Sequence, residues 1–205
     1  MKIIIHPTYF PNIEFFSHLV KSNEIFFEVT DNYQKQTLRN RCSIYGSNGK
    51  LNLVVPVKFS SSKREKFKDI KICYDSNWQK IHLKSIQSAY RNSPYYSFFE
   101  DYFIELFQQK EKYLIDISLK SIKVIYNILE IESNYKITNS YISNYDILID
   151  KRDLAKKNKN KDMNLFKPYD QVFQEKYGFL PNLSVIDLIF NQGINSLELL
   201  KKINK

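Results

Sequence analysis

A chain of 205 residues, 43% hydrophobic and 26% charged, is long enough to bury one core, and its polarity is too evenly mixed for disorder. Charged residues break its apolar runs well short of the roughly 18 residues that a membrane-spanning helix needs, so no membrane span is expected. The formal net charge is +9, and between Lys35 and Arg91 thirteen Lys and Arg face only three acids, Glu65, Asp69 and Asp75, which places the whole cationic excess there. Such a stretch predicts a phosphate-bearing partner, either a nucleic acid or a small nucleotide-like substrate. For the loop SSKREKFKD alone, the plainer reading is charge that keeps it in water.

Pro7 and Pro11 interrupt the opening apolar run where a secretory signal would need it unbroken, which predicts a cytoplasmic protein. Cys42 and Cys73 are too few for a disulfide framework and read as free thiols. His6, His18 and His82 match no metal-ligand spacing, so no metal site is assigned, and no motif names a cofactor. With four glycines in the chain, a P-loop or GxGxxG cradle is excluded.

In chain order, KIIIH is an all-apolar β-branched run that predicts a strand buried on both faces. PNIEFFSHLVKS carries Ile13, Phe16, Leu19 and Val20 at helical spacing, with Asn12 placed to cap it. EIFFEVTD reads as a second strand, and strand, helix, strand in so little sequence is a βαβ unit, which gives parallel strands. LRNRCSIY and KLNLVVPV flank GSNG and predict a β-hairpin, in which Gly46 and Gly49 supply positive φ angles and Pro56 marks an edge or end. KICY is a short strand candidate. Three helices follow in WQKIHLKSIQSAYRN, YYSFFEDYFIELFQQ and LIDISLKSIKVIYNILEI, a helical sub-lobe over 77–131. YKITNSYI and DILID return to the sheet, residues 151–164 form a lysine- and asparagine-rich mobile loop, and GFLPNLSVIDLIFNQG ends in a helix capped near Asn182 or Ser184 and stopped at Gly193. The whole predicts a single α/β domain over 1–205, with a Rossmann-like sheet, a hairpin insertion and helical decoration.

Ligands of parallel α/β sheets bind where strands end and helices begin, because loops expose side chains there and unpaired helix N–H groups suit an anion. His6, Thr8, Tyr9, Phe10 and Asn12 occupy that place, with Tyr9 and Phe10 as a face for a planar or sugar ring. In DNYQKQTLRNR, Asp31 ends the second strand and Lys35, Arg39, Asn40 and Arg41 follow; in an extended stretch Arg39 and Arg41 share a face suited to a phosphate or carboxylate. The alternative is that these arginines pair with Asp31 or Glu28. His82 lies on a polar edge of its helix beside an apolar stripe, whereas Trp78 and Tyr90 read as core. General acid-base work by His6 or His82, with charge stabilisation by Arg39 and Arg41, is the most economical chemistry; the alternative for His6 is a polar strand end.

HPTYFPNIEFF, DNYQKQTLRNRCSIYG, LNLVVPVK, WQKIHLKSIQSAYRNSPYY and VFQEKYGFLPNLSVIDLIFNQG, in that order over nearly the whole chain, resemble the WbqC-like protein family. The resemblance implies bacterial surface-polysaccharide biosynthesis without a firmly assigned reaction. It also implies a glutamine-proline pair at the opening motif, where this chain has His6 and Pro7, so a role for that glutamine does not transfer directly. The first loop and helix are similar at fold level to those of nucleotidyltransferase-like domains, with His6 and His18 as counterparts of phosphate-stabilising histidines, although the HxGH pattern is absent. The resulting expectation is a transferase of surface-glycan or amino-sugar metabolism that moves an acyl or aminoacyl group to a nucleotide-linked sugar. The alternatives are a nucleic-acid-binding protein and a non-catalytic scaffold.

Overall fold

Three consecutive isoleucines, each wholly buried, belong in a strand covered on both faces, and Lys2–Ile5 forms such a strand, β1. The computed structural model describes residues 1–59, 64–141, 147–156 and 166–203. Asn12 caps the first helix, α1 (Ile13–Val20), by accepting from the Phe15 amide at 2.9 Å. The chain then returns as β2 (Glu24–Phe27), parallel to β1 with Ile5 opposite Phe27, which is the predicted βαβ unit.

The predicted hairpin forms as β3 (Arg41–Gly46) and β4 (Gly49–Val54), with two differences from expectation. Leu38–Asn40 coils into a 3-10 turn rather than extending the strand. Of the two glycines, Gly49 takes a positive φ, +90°, whereas Gly46 is there for its size: a Cβ added to it would come within 3.3 Å of Leu51 Cβ. The chain leaves the hairpin at Pro56 and pairs β5 (Val57–Lys58) with β6 (Lys71–Ile72), so KICY finds its partner in the residues just after the hairpin. Of the charged loop, residues 61–63 lie outside the described residues, and Phe67 in its second half is fully buried.

The three helices appear as α2 (Trp78–Tyr90), α3 (Tyr96–Gln108) and α4 (Leu114–Ile128). The chain re-enters the sheet as β7 (Tyr135–Ile137) beside β2 and β8 (Ile149–Asp150) beside β1, giving four parallel strands in the order β7-β2-β1-β8. Of the expected mobile loop over 151–164, Arg152–Ala155 form a 3-10 turn and residues 157–164 lie outside the described residues. Among the described residues three further helices follow: α5 (Gln174–Tyr177), α6 (Val185–Gln192) and α7 (Ser196–Lys202). Ser184 stands at the α6 cap position, but its hydroxyl donates to the Phe10 carbonyl instead, at 3.0 Å, and so pins α6 to the loop after β1. The buried Asp187 carboxylate accepts from Tyr90, Tyr169 and Gln171, which ties α6 to α2 and to the segment before it.

One hydrophobic cluster runs from Ile3 and Phe27 in the sheet through Ile86, Phe103 and Ile125 in the helices to Phe190 in α6. Among the described residues no helix is long and apolar enough to cross a membrane.

Candidate functional site

In the sheet order, the chain runs outward from β1 to β2 and β7, then returns to the other side of β1 as β8, so the strand order reverses between β1 and β8. Loops at the carboxyl ends of strands diverge at such a point and leave a crevice. A cavity of about 330 Å³ opens there, lined by the loop after β1, the start of α1, the hairpin and residues around Leu154 and Pro181.

Strand alternation builds one wall of this cavity. The ladder sets Arg41 opposite Val54, Ser43 opposite Asn52 and Tyr45 opposite Lys50, so Arg41, Ser43, Lys50 and Asn52 project from one face of the hairpin. All four line the cavity, and of the intervening residues Ile44 and Leu53 are buried in the core, while Cys42 is buried and still borders the cavity. Lys156, paired with Asp153 at 2.6 Å, adds a third cation to the lining. Arg41 Nε is buried and has no hydrogen-bond partner.

The start of α1 supplies the facing wall, but not in the way expected of a helix N-terminus. Its first four amides are all occupied: Ile13 donates to the Leu183 carbonyl, Glu14 to Asn182 Oδ1, Phe15 to Asn12 Oδ1 and Phe16 to the Asn12 carbonyl, at 2.9–3.0 Å. The helix therefore offers an anion no free N–H, and its first turn brings the Glu14 carboxylate to the cavity. Binding of an anion here falls to the side chains of the hairpin.

Beneath the loops, at the ends of β1 and β2, lies a second group. His6 is 3% exposed; its Nδ1 is 3.1 Å from the Glu28 carbonyl and its Nε2 is 3.3 Å from Asp31 Oδ2. Arg39, 1% exposed, reaches the same Asp31 oxygen at 3.5 Å and lies over the Phe67 ring, and its Nε has no partner. Burial pushes the His6 pKa below its ordinary value and the Arg39 charge adds to this, outweighing the Asp31 and Glu28 contacts that favour the imidazolium. The same contact with His6 holds the Asp31 carboxyl below its ordinary range. Glu28 Oε1 gathers the Thr30 amide and hydroxyl and the Asp31 amide, which fixes the turn that delivers Asp31.

The residues singled out in the sequence thus separate. Arg39 turns inward to Asp31, the ion pair weighed as its alternative role, while Arg41 lines the cavity; the 3-10 turn at Leu38–Asn40 breaks the shared face that an extended chain would have given them. Asn40 donates to the Val55 carbonyl at 2.9 Å and closes the hairpin base. Lys35 is exposed, with its ammonium over the Phe59 ring. Tyr9 and Phe10 border the cavity, but both rings are wholly buried, Phe10 stacking on Phe103. Thr8 is buried and its hydroxyl has no partner. His18 sits in the last turn of α1, at the end of the helix away from His6. His82 is enclosed by Trp78 and Phe107, bonded to the Tyr9 hydroxyl, and pushed down to about 4 by burial.

Glu14, Lys50, Asn52 and Lys156 were not singled out in the sequence, and Asn182 was read there only as a helix cap. For Lys50 and Asn52 a signal existed, since hairpin register places them beside Tyr45 and Ser43; for Asn182 and Lys156, far from α1 in sequence, only the folded chain reveals them as cavity residues. Among the described residues no group of three or more His, Cys, Asp or Glu is placed to hold a metal ion.

Fold and site together define an α/β protein with a polar crevice at the carboxyl ends of its parallel strands. A family model, described as the WbqC-like protein family, matches residues 6–159, about three quarters of the chain, and the protein belongs to that family. No curated protein and no solved structure matches it.

Proposed function

We propose that this protein is a cytoplasmic transferase of bacterial surface-polysaccharide or amino-sugar metabolism, which moves an acyl or aminoacyl group onto a phosphate-bearing, nucleotide-linked sugar. The observation that carries this reading is the hairpin face that turns Arg41 and Lys50, with Asn52 and Ser43 between them, into a crevice that Lys156 also lines. Cations with amide and hydroxyl groups suit a phosphate with an attached sugar.

Native mass spectrometry of the purified protein, with uridine, guanosine and thymidine diphosphate sugars added in turn, tests the reading. One of them should be retained by the wild type and lost in Arg41→Ala. Retention of none, or equal retention by both proteins, would sink it.

A second reading, nucleic-acid binding, draws on Lys58 and Lys71, two exposed lysines directly opposite each other across β5 and β6. On single strands that reading requires affinity falling with salt at a slope of about −0.7 per phosphate neutralised.

A further inference from the structure

The cavity is lined by charges of both signs, and backbone pairing sets the distance between its two sides. The Ser184 amide donates to the Ser43 carbonyl of β3 at 2.7 Å. On the other side of Ser184, the Ile13 amide donates to the Leu183 carbonyl at 3.0 Å and the Val185 amide to the Pro11 carbonyl at 2.8 Å. Residues 183–185 therefore run as one extended segment between the hairpin and the start of α1, with Ser184 bridged antiparallel to Asn12. Two strand spacings put the backbones of Ser43 and Asn12 roughly 10 Å apart. Arg41, Ser43, Lys50 and Asn52 line the cavity from the hairpin side, and Glu14 lines it from the helix side.

A carboxylate is out of place in a pocket for a simple anion. Glu14 is 6% exposed, and Asn182 fixes its side chain: Asn182 Oδ1 accepts from the Glu14 amide at 3.0 Å while Nδ2 donates to Glu14 Oε2 at 3.2 Å, from a backbone at φ +53°. A phosphate held at the hairpin meets that negative charge across the cavity, where burial weakens screening. A positive group on the same ligand, facing Glu14, turns the repulsion into attraction. One phosphate cannot reach both sides, whereas a phosphate with a sugar ring attached can. Arg41 Nε, buried and without a hydrogen-bond partner, leaves a donor for the anionic end.

We propose that this cavity takes a sugar phosphate bearing a free amine, with the phosphate on Arg41 and Lys50 and the ammonium on Glu14. The phosphate half rests on the reading of the site given above; the amine half rests on Glu14. Glu14 is then a specificity determinant, which attracts the ammonium and repels a ligand that presents a second anion there. Acetylation of the amine removes its charge and with it the attraction.

Nuclear magnetic resonance titration of the full chain at neutral pH tests it, with glucosamine 1-phosphate and glucosamine 6-phosphate, which put the amine near to and far from the phosphate, each set against its glucose and N-acetylglucosamine counterparts. Monophosphates make the result independent of the nucleoside attached. In at least one of the two series the wild type should bind the amine about tenfold or more tightly than either counterpart, as expected of a charge-assisted contact. Glu14→Gln keeps an oxygen for the Asn182 amide and should bring the three members of that series to within about twofold, with the glucose phosphate bound at least as tightly as by the wild type. Arg41→Ala should weaken all three about equally.

Equal affinity for all members of both series in the wild type, or a preference that survives in Glu14→Gln, overturns the amine assignment and leaves the phosphate reading standing. Loss of every sugar in Glu14→Gln would make Glu14 a structural support and overturns it as well. Failure of the phosphate reading looks different: the sugars bind, and Arg41→Ala changes none of them. Binding of none overturns both.

Discussion

The Tyr9 hydroxyl lies 2.9 Å from His82 Nδ1, and this bond fastens the loop after the first strand to a helix more than seventy residues away. A neutral imidazole keeps one nitrogen as acceptor, and with the Tyr9 hydroxyl as donor that nitrogen is Nδ1. His82 is thereby held neutral within an aromatic enclosure and acts as a structural link.

Its titration gives a signed prediction. The folded pKa of about 4 lies below the unfolded value near 6.5, so the unfolded chain takes up the proton first and stability falls as pH drops through that window. The loss attributable to His82 should approach roughly 3 kcal/mol by pH 4. Urea unfolding of wild type and His82→Leu between pH 4 and 7 checks it: the variant should start less stable at pH 7, for want of the Tyr9 acceptor, and show a shallower acid slope. Parallel slopes would mean that His82 is not buried neutral.

Arg39 and Arg41, alike on paper, should part in the laboratory. Arg39→Ala leaves Asp31 and His6 without their cation and should cost about 2–3 kcal/mol of stability, less than a wholly buried pair because Asp31 keeps some solvent. Arg41→Ala should unfold at nearly the wild-type urea concentration while weakening binding of the phosphate-bearing ligand by about 1.5–3 kcal/mol. Calorimetric titration beside urea unfolding separates the two outcomes, and the same pattern for both variants would contradict the division.

Asn182 holds a left-handed backbone, φ +53°, while its side chain accepts from the Glu14 amide and donates to the Glu14 carboxylate. Asn182→Ala should lose about 2–3 kcal/mol, because it removes both bonds and places a Cβ in a conformation that disfavours it. Asn182→Gly should recover about 1 kcal/mol of that in thermal or chemical unfolding, since glycine relieves only the backbone component.

Gly193 ends α6 at φ +57°, and a Cβ there would lie 2.6 Å from the Tyr95 ring. Gly193→Ala should destabilise by about 2–3 kcal/mol, from the left-handed conformation and from overpacking together. Tyr95→Leu in the same chain should return part of it, as measured by the shift in melting temperature.

Much of the frame was legible because it follows from periodicity. The buried run KIII, the helical spacing that follows it and the Asn12 cap specify strand, helix and boundary from neighbouring residues alone. The site was legible only in part, for two physical reasons. A 3-10 turn at Leu38–Asn40 rotates Arg39 away from Arg41, and nothing in a string that alternates so regularly announces the turn. The helix N-terminus was read as open to an anion, yet Leu183 and Asn182 close it from the far end of the chain. His6 was correctly placed at a strand end, but its two acceptor contacts arise from the pairing of β1 with β2 and the turn at Glu28, which are tertiary facts.

The hairpin carries two messages on alternate letters. Ile44 and Leu53 answer to the interior, whereas Arg41, Ser43, Lys50 and Asn52 answer to whatever enters the crevice. Substitutions at the second set leave the first in place, so a lineage can exchange one ligand for another by editing every other residue of two short strands while the scaffold stays untouched. The cost of that freedom is dependence on register: a slip by one residue would turn the cations toward the oily side and the isoleucine toward water, which makes the tight turn between Gly46 and Gly49 as much a guardian of recognition as of shape.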